Sequence, residues 1–260
     1  MKDNNKYLLK AMAAPGIFIL TQVIGGIVAA TLARLVSGKS ASTDTGWVQP
    51  VAGLIAGVLC CMLLMSCGIV RGKHSWTKWQ SSGRWVVVAS VATMACIVAG
   101  DLLTEMLDVS NDALDKRILA IATHPLGMVV IAVIAPVVEE LAFREGLQRW
   151  LHRIVEPWTA ILLSGVVFGI IHMNMEQGIF ATLMGVVFSM LYYKTGSILL
   201  TSIIHILNNG LAVALMLVLG EKAAEFSYGE WLGGTLPTTI TIAVCGVIGV
   251  LGLKAFWQKA

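Results

Sequence analysis

Long apolar stretches alternate with short polar segments along the whole chain. A helix needs about 18 or more apolar residues to cross a bilayer, and most of these stretches reach that length. The pattern predicts eight membrane-spanning helices, of which the fourth begins near Pro125. The other predicted spans cover residues 13–36, 48–70, 85–103, 158–175, 179–193, 198–219 and 236–257. We therefore predict an all-α, polytopic membrane helix bundle in which residues 1–260 form a single transmembrane domain.

The composition supports this prediction and narrows the range of functions. Hydrophobic residues make up 57% of the chain and charged residues only 13%, whereas charged residues are about a quarter of an ordinary soluble domain. The first apolar run is too long for a cleaved signal peptide, so we expect it to remain as a helix. The five cysteines show no metal-ligand spacing. No basic arm with interleaved aromatic residues is present, so we expect no nucleic acid partner.

Basic residues concentrate in alternate connecting segments. The segments on the side of the N-terminus include residues 71–84 and 144–153, which carry several Arg and Lys residues. The segments on the opposite side are acidic and include Glu105 and Glu230. Cytoplasmic loops of membrane proteins are enriched in Lys and Arg. We therefore predict a multi-pass protein of the cytoplasmic membrane with both termini in the cytoplasm and the lipid bilayer as a partner.

The first unexpected polar group follows an apolar run in the fourth predicted span. Glu139 and Glu140 are adjacent there, and Arg144 lies four residues after Glu140. Residues four apart share one face of a helix, so Glu140 and Arg144 can pair, while Glu139 points about 100° away and can face a cavity. A charge inside a membrane is costly and therefore indicates function. The alternative is that the helix ends here and these charges lie at the membrane surface.

The fifth predicted span carries an imidazole. Phe168 and His172 are four residues apart, and Gly165 and Gly169 form a pair of small residues that allows another helix to approach closely. We expect the Phe168 ring to pack around the site rather than to react. Taken alone, His172 is also explained as a hydrogen-bonded core histidine.

The seventh predicted span carries His205, Asn208 and Asn209 within an apolar run. His205 and Asn209 share a helix face because they are four residues apart. Such polar groups are costly in a membrane unless they find partners. The alternative to a functional site is a hydrogen-bonded clamp between helices, which contributes about 1 kcal/mol.

These three polar groups meet at one depth only if the fourth span is long. If that helix continues past Arg144 through Arg153 to a break at Pro157, all three groups lie roughly 16–22 Å from the same surface. If the helix instead ends at Arg144, Glu139 and His172 lie near opposite faces of the membrane. We predict the long helix.

A glutamate, two histidines and an asparagine at one depth are suited to hydrolysis. A carboxylate can take a proton from water and later deliver it to a leaving amine. Imidazole and amide N–H groups can stabilise the oxyanion of a tetrahedral intermediate. Alternatively, Glu139, His172 and His205 can bind Zn²⁺, which activates the water. The chain has no His-Glu-x-x-His motif and no obvious fourth ligand, so we expect no tightly bound zinc.

In this order, and on separate helices, these motifs resemble the signature of the type 2 CAAX prenyl endopeptidases, also called CPBP or Abi intramembrane proteases. The matching positions lie within residues 125–211 and read Glu139-Glu140-x-x-x-Arg144, Phe168-x-x-x-His172 and His205-x-x-x-Asn209. The family includes the eukaryotic Ras-converting enzyme, which removes the last three residues of prenylated proteins. It also includes bacterial members that are linked to bacteriocin self-immunity, peptide-signal processing or surface-protein display.

The resemblance implies a role for each matching residue. Glu139 would activate the water with His172 nearby, and His205 and Asn209 would form the oxyanion site. Arg144 and its paired carboxylate would support the site, or Arg144 would meet a substrate carboxylate. The metal ligands, if a metal is used, would include His172 and His205. The candidate catalytic residues are thus Glu139, Glu140, Arg144, His172, His205 and Asn209.

Two other functions stay open at this point. One is a catalytically idle scaffold or bacteriocin-immunity protein that binds a peptide or partner, and the other is a transporter whose buried charges carry ions. A scaffold has less reason to retain costly buried charges, and a transporter is expected to show repeated halves with broken helices. We therefore favour an intramembrane endopeptidase that acts on membrane-associated proteins or peptides, with the identity and prenylation of the substrate left open.

Overall fold

The structure is a computed structural model that describes residues 2–37, 46–71, 83–107 and 112–259. Every regular element in these four ranges is helical. Most of the polar segment 71–84, on which part of the charge argument rests, lies outside them. The main helices are α1 (Lys2–Ser37), α2 (Val48–Ser66), α3 (Gly83–Met106), α4 (Asp112–Ala122), α5 (Pro125–Leu151), α6 (Pro157–Ile170), α7 (Met175–Thr195), α8 (Ile198–Leu219), α9 (Tyr228–Trp231) and α10 (Thr235–Lys259).

Seven of the described helices are long and apolar enough to cross a membrane, namely α1, α2, α3, α5, α7, α8 and α10. The predicted polytopic helical fold is therefore confirmed. Helix α6 is also apolar but has only 14 residues, which is about 21 Å of helix against a hydrocarbon layer of about 30 Å. The prediction that this span reaches residue 175 was wrong.

The early end of α6 has a local cause. Met173 has a φ of 54°, a left-handed conformation that a continuing right-handed helix does not contain. The side chain of Asn174 then accepts a hydrogen bond from the backbone N–H of Gln177 and caps the start of α7. His172 consequently lies in the turn between two helices and not inside a spanning helix.

Helix α5 is continuous through Leu151 but contains two π-helical segments, Val130–Ile134 and Leu141–Gln148. Pro136 follows the first of them and lacks the N–H that an α-helix would use to bond four residues back. The predicted long helix is confirmed, since α5 passes Arg144. It ends before Arg153, however, and the predicted continuation to Pro157 was wrong because residues 152–154 form a turn.

The chain divides into two compact units. The first unit contains Met1–Gly72, Asp112–Ile154 and His205–Ala224. In it α1 packs along α2 through small residues, among them Ala29, Ala33 and Ala52. Helix α1 also packs against the second π segment of α5, where the rings of Phe18 and Phe143 meet edge to face at 5.4 Å.

The second unit contains Lys73–Asn111, Val155–Ile204 and Glu225–Ala260. Its main helix pairs are α3 with α10 and α6 with α7. The predicted close approach at the two glycines of α6 is confirmed. A Cβ on Gly165 would lie 2.6 Å from a methyl group of Val186, and Gly169 lies directly against Gly178 and Thr182 of α7.

Candidate active site

The candidate site in the first unit is built around a fully buried ion pair. Arg144 Nε lies 3.0 Å from Glu140 Oε2, and both side chains are 0% exposed. The two residues are one helical turn apart on α5, so the predicted pairing is confirmed. Arg144 thus supplies the counter-charge for the Glu140 carboxylate.

His205 of α8 connects the two adjacent glutamates. Its Nδ1 lies 3.2 Å from Glu140 Oε1, and its Nε2 lies 3.7 Å from Glu139 Oε2. The His205 side chain is 8% exposed and that of Glu139 is 15% exposed. An ionised Glu140 accepts a hydrogen bond only from a protonated Nδ1, so this contact fixes the proton on that nitrogen. Nε2 is then the ring atom directed at Glu139.

Asn209 fixes α8 against the first π segment of α5. Its Nδ2 donates to the carbonyl oxygen of Ile131 at 3.1 Å, and Asn208 Nδ2 donates to Asn209 Oδ1 at 3.0 Å. A π segment leaves backbone carbonyls with altered partners, and this one receives a side-chain donor. The first unit therefore contains Glu139, Glu140, Arg144, His205 and Asn209, five of the six predicted site residues.

His172 belongs to the second unit, and its approach to the carboxylates stays a prediction. Its Nδ1 lies 2.8 Å from the carbonyl oxygen of Phe168, and the two rings meet edge to face at 5.1 Å. A carbonyl oxygen can only accept, so Nδ1 carries the proton here and Nε2 is available as a base. Phe168 is buried, in agreement with a packing role.

The sequence analysis missed two buried polar residues on α5. Glu145 is 1% exposed and pairs with Arg149 at 2.9 Å while it accepts from the backbone N–H of Arg71 at 3.2 Å. Gln148 is fully buried and its Nε2 lies 3.1 Å from His152 Nε2. The available signal was the four-residue spacing of Arg144 and Gln148, and of Glu145 and Arg149, because residues four apart share a face of one helix.

His152 lies just beyond the end of α5. It is half-buried, and burial lowers the pKa of its imidazole to about 4. The ring is therefore neutral at pH 7.

Zinc fits the described residues poorly. In the parts of the chain that the structure covers, no group of three or more His, Cys, Asp or Glu side chains is arranged to hold a metal ion. Both ring nitrogens of His205 face carboxylates, as in a hydrogen-bonded imidazole, and are therefore not directed at a shared metal position.

Comparison with known families addresses the same segment of the chain. Residues 121–211 match the family model described as Type II CAAX prenyl endopeptidase Rce1-like. On the basis of this similarity we call residues 121–211 the Rce1-like segment. The predicted family resemblance is confirmed, and the Rce1-like segment contains all six candidate residues.

One curated relative shares part of this region. The protein named "Putative membrane peptidase YdiL" from Bacillus subtilis (strain 168) is 25% identical over 141 residues. The alignment covers 54% of this chain and 56% of that protein, so the chain spans little more than half of the relative's length. No solved structure gives a significant match. Both matches are to peptidases associated with membranes, in keeping with the helical composition around the Rce1-like segment.

Proposed function

We propose that this chain is a membrane-embedded endopeptidase that hydrolyses peptide bonds of membrane-associated proteins or peptides. The observation that carries the proposal is the position of His205 between two adjacent glutamates, one of which is held by a buried arginine. Ionisable side chains within apolar membrane helices are energetically costly, so a cluster of them indicates a catalytic function. The Rce1-like segment and the peptidase relative support the same class of activity.

In this proposal Glu139 is the general base. It is the more exposed of the two glutamates, with 15% of its side chain accessible against 0% for Glu140. A water beside its carboxylate would lose a proton as it attacks the scissile carbonyl carbon, and the same carboxyl group would later protonate the leaving amine. The family resemblance assigns His172 a role in assisting this base, and that role stays a prediction.

His205 and Asn209 would stabilise the oxyanion. Because the proton on Nδ1 is committed to Glu140, Nε2 can donate to an oxyanion only when the ring is an imidazolium. Both carboxylates lie within 3.7 Å of the ring. Asn209 uses one N–H for the carbonyl of Ile131 and its amide has a second. A donating Nε2 and this amide N–H would together stabilise the negative charge that develops in the transition state.

The ion pair of Glu140 and Arg144 would act as the support of this arrangement. It keeps a proton on His205 Nδ1 and holds the ring between the two glutamates. Arg144 is fully buried and already engaged by Glu140, so we favour this supporting role over direct contact with a substrate carboxylate.

The proposal is tested by a comparison of peptides in cells that carry the wild-type chain and cells that carry Glu139→Gln. Membrane and secreted peptide fractions are compared by mass spectrometry, with Glu156→Gln as the control because Glu156 is an exposed carboxylate at the start of α6. We expect specific cleavage products to disappear with Glu139→Gln and to persist with Glu156→Gln. Identical peptide profiles in all three strains would instead favour the non-catalytic scaffold or immunity-type function.

A further inference from the structure

Two basic side chains contact one tryptophan at the end of two spanning helices in the first unit. Lys10 Nζ lies 4.5 Å from the centre of the Trp150 ring, and Arg149 Cζ lies 4.2 Å from it. Tyr7 stacks on the same ring at 5.6 Å. Lys10 is also within electrostatic range of Lys6, which is exposed. We call Lys6, Lys10 and Arg149 with Trp150 and Tyr7 the basic cluster.

Internal contacts fix the inner part of the basic cluster. The Arg149 guanidinium pairs with Glu145 and donates to the carbonyl oxygen of Ile69, which also accepts from Trp150 Nε1 at 2.9 Å. Lys10 donates to the carbonyl oxygen of Gly68 at 2.8 Å. These contacts hold the cations together although like charges repel each other. Among the described side chains, Glu145 contacts the cluster; it is 1% exposed and is engaged by Arg149.

The position of the basic cluster along the two spans indicates which class of anion it would bind. Lys6 and Lys10 lie in the first turns of the span Asn4–Val36, and Arg149 and Trp150 lie in the last turn of the span Pro125–Leu151. Tryptophan and tyrosine are typical of the interface where lipid headgroups lie. Immediately along α1, Leu9 is 71% exposed and Met12 is 61% exposed, which gives acyl chains an apolar surface. Basic pockets between spanning helices bind anionic lipid headgroups.

We propose that the basic cluster binds the phosphate headgroup of an anionic phospholipid, with Lys6 and Lys10 as its direct contacts and the acyl chains along α1. The second unit provides a contrast. There Lys194 lies 5.1 Å from the centre of the Trp257 ring, which stacks with Trp158 and Tyr193. In that aromatic group a lysine lies over the tryptophan ring, whereas in the basic cluster both a lysine and an arginine lie over the tryptophan ring. It therefore serves as a matched control that shares the aromatic surroundings.

The test is a lipid titration of the purified full chain in neutral detergent, followed by native mass spectrometry. We expect phosphatidylglycerol to bind to the wild type more tightly than phosphatidylcholine. The double variant Lys6→Gln/Lys10→Gln should bind phosphatidylglycerol roughly 25-fold more weakly, since each basic residue near an anionic lipid contributes about fivefold. Lys194→Gln should bind as the wild type does, and Lys10→Arg should retain binding.

Three results would overturn the proposal. They are equal affinity for the two lipids, unchanged affinity in the double variant, and thermal protection by inorganic phosphate equal to that by phosphatidylglycerol. The last result would indicate a site for free anions. If the double variant does not fold, the single variant Lys6→Gln decides the matter, because its side chain is exposed and should lose about fivefold in affinity.

Discussion

At the scale of single residues, the site depends on the contacts of the His205 imidazole with the two adjacent glutamates. Arg144 pairs with Glu140, Glu140 accepts a hydrogen bond from His205 Nδ1, and Nε2 is thereby directed at Glu139. Each contact fixes the protonation of the next group. The loss of one member should therefore affect residues that it does not touch.

The buried ion pair allows a test by stability. Arg144→Met should lower the free energy of unfolding by about 3–5 kcal/mol, because it leaves the carboxylate of Glu140 buried without its cation. The double variant Glu140→Gln/Arg144→Met should recover part of this loss, since the unpaired charge is then absent. Unfolding midpoints in detergent give the comparison. A single variant as stable as the wild type would contradict the buried pair.

His152 should make stability depend on pH. Its pKa is lowered to about 4 by burial, while in the unfolded chain it is near the usual 6.5. Between these values the unfolded state binds more protons, so this contribution to stability is fully present above about pH 6.5 and is lost as the pH falls toward 4. His152→Gln should reduce the decline in unfolding temperature between pH 7 and pH 4. An identical decline in both proteins would argue against a neutral, buried ring.

At the scale of elements, the two π segments of α5 are what the sequence could not predict. The side-chain pattern indicates which face of a helix is apolar, but an extra residue per turn changes the backbone register without changing the composition. All eight residues of Leu141–Gln148 are buried, including Arg144, Glu145 and Gln148. In contrast, Glu139 and His205 could be predicted as site residues, because an ionisable side chain in an apolar run is costly whichever way it points from the helix.

The end of α6 was missed for a related reason. Positive φ is usual for glycine and uncommon for other residues, so Met173 gave no signal in the sequence that the chain would reverse there. The glycines in the same helix did give a signal. Gly165 and Gly169 predicted a close helix contact, and the structure has one with α7.

Gly146 in the second π segment provides a test of packing between α5 and α1. A Cβ at this position would lie 2.7 Å from the Cβ of Ala14, which has no flexible atoms with which to move aside. Gly146→Ala should therefore destabilise the protein by about 1–3 kcal/mol. Gly26→Ala is the control, because a Cβ on Gly26 of α1 would meet no described atom within 4 Å. It should be neutral or stabilise by up to about 1 kcal/mol. Equal unfolding temperatures for the two variants would contradict the close contact.

At the scale of the whole molecule, hydropathy predicted the fold class because spanning helices need long apolar runs. The orientation in the membrane is a separate prediction from charge. If both termini are cytoplasmic, reporter fusions at the two ends of the chain should give the same cytoplasmic signal. The same signal at both ends would also indicate that the chain crosses the membrane an even number of times. Since seven of the described helices are long enough to cross, the short helix α6 would then supply the eighth crossing. Opposite signals from the two fusions would contradict the prediction.

The central claim is that Glu139 activates the water that cleaves a peptide bond, and the purified protein tests it most directly. Wild type, Glu139→Gln and Glu156→Gln are reconstituted in liposomes and supplied with a peptide whose cleavage depends on the wild-type chain. We expect Glu139→Gln to lower kcat by about 10²–10⁴-fold with an unchanged unfolding temperature, and Glu156→Gln to keep wild-type activity. Cleavage by Glu139→Gln at the wild-type rate would contradict the account.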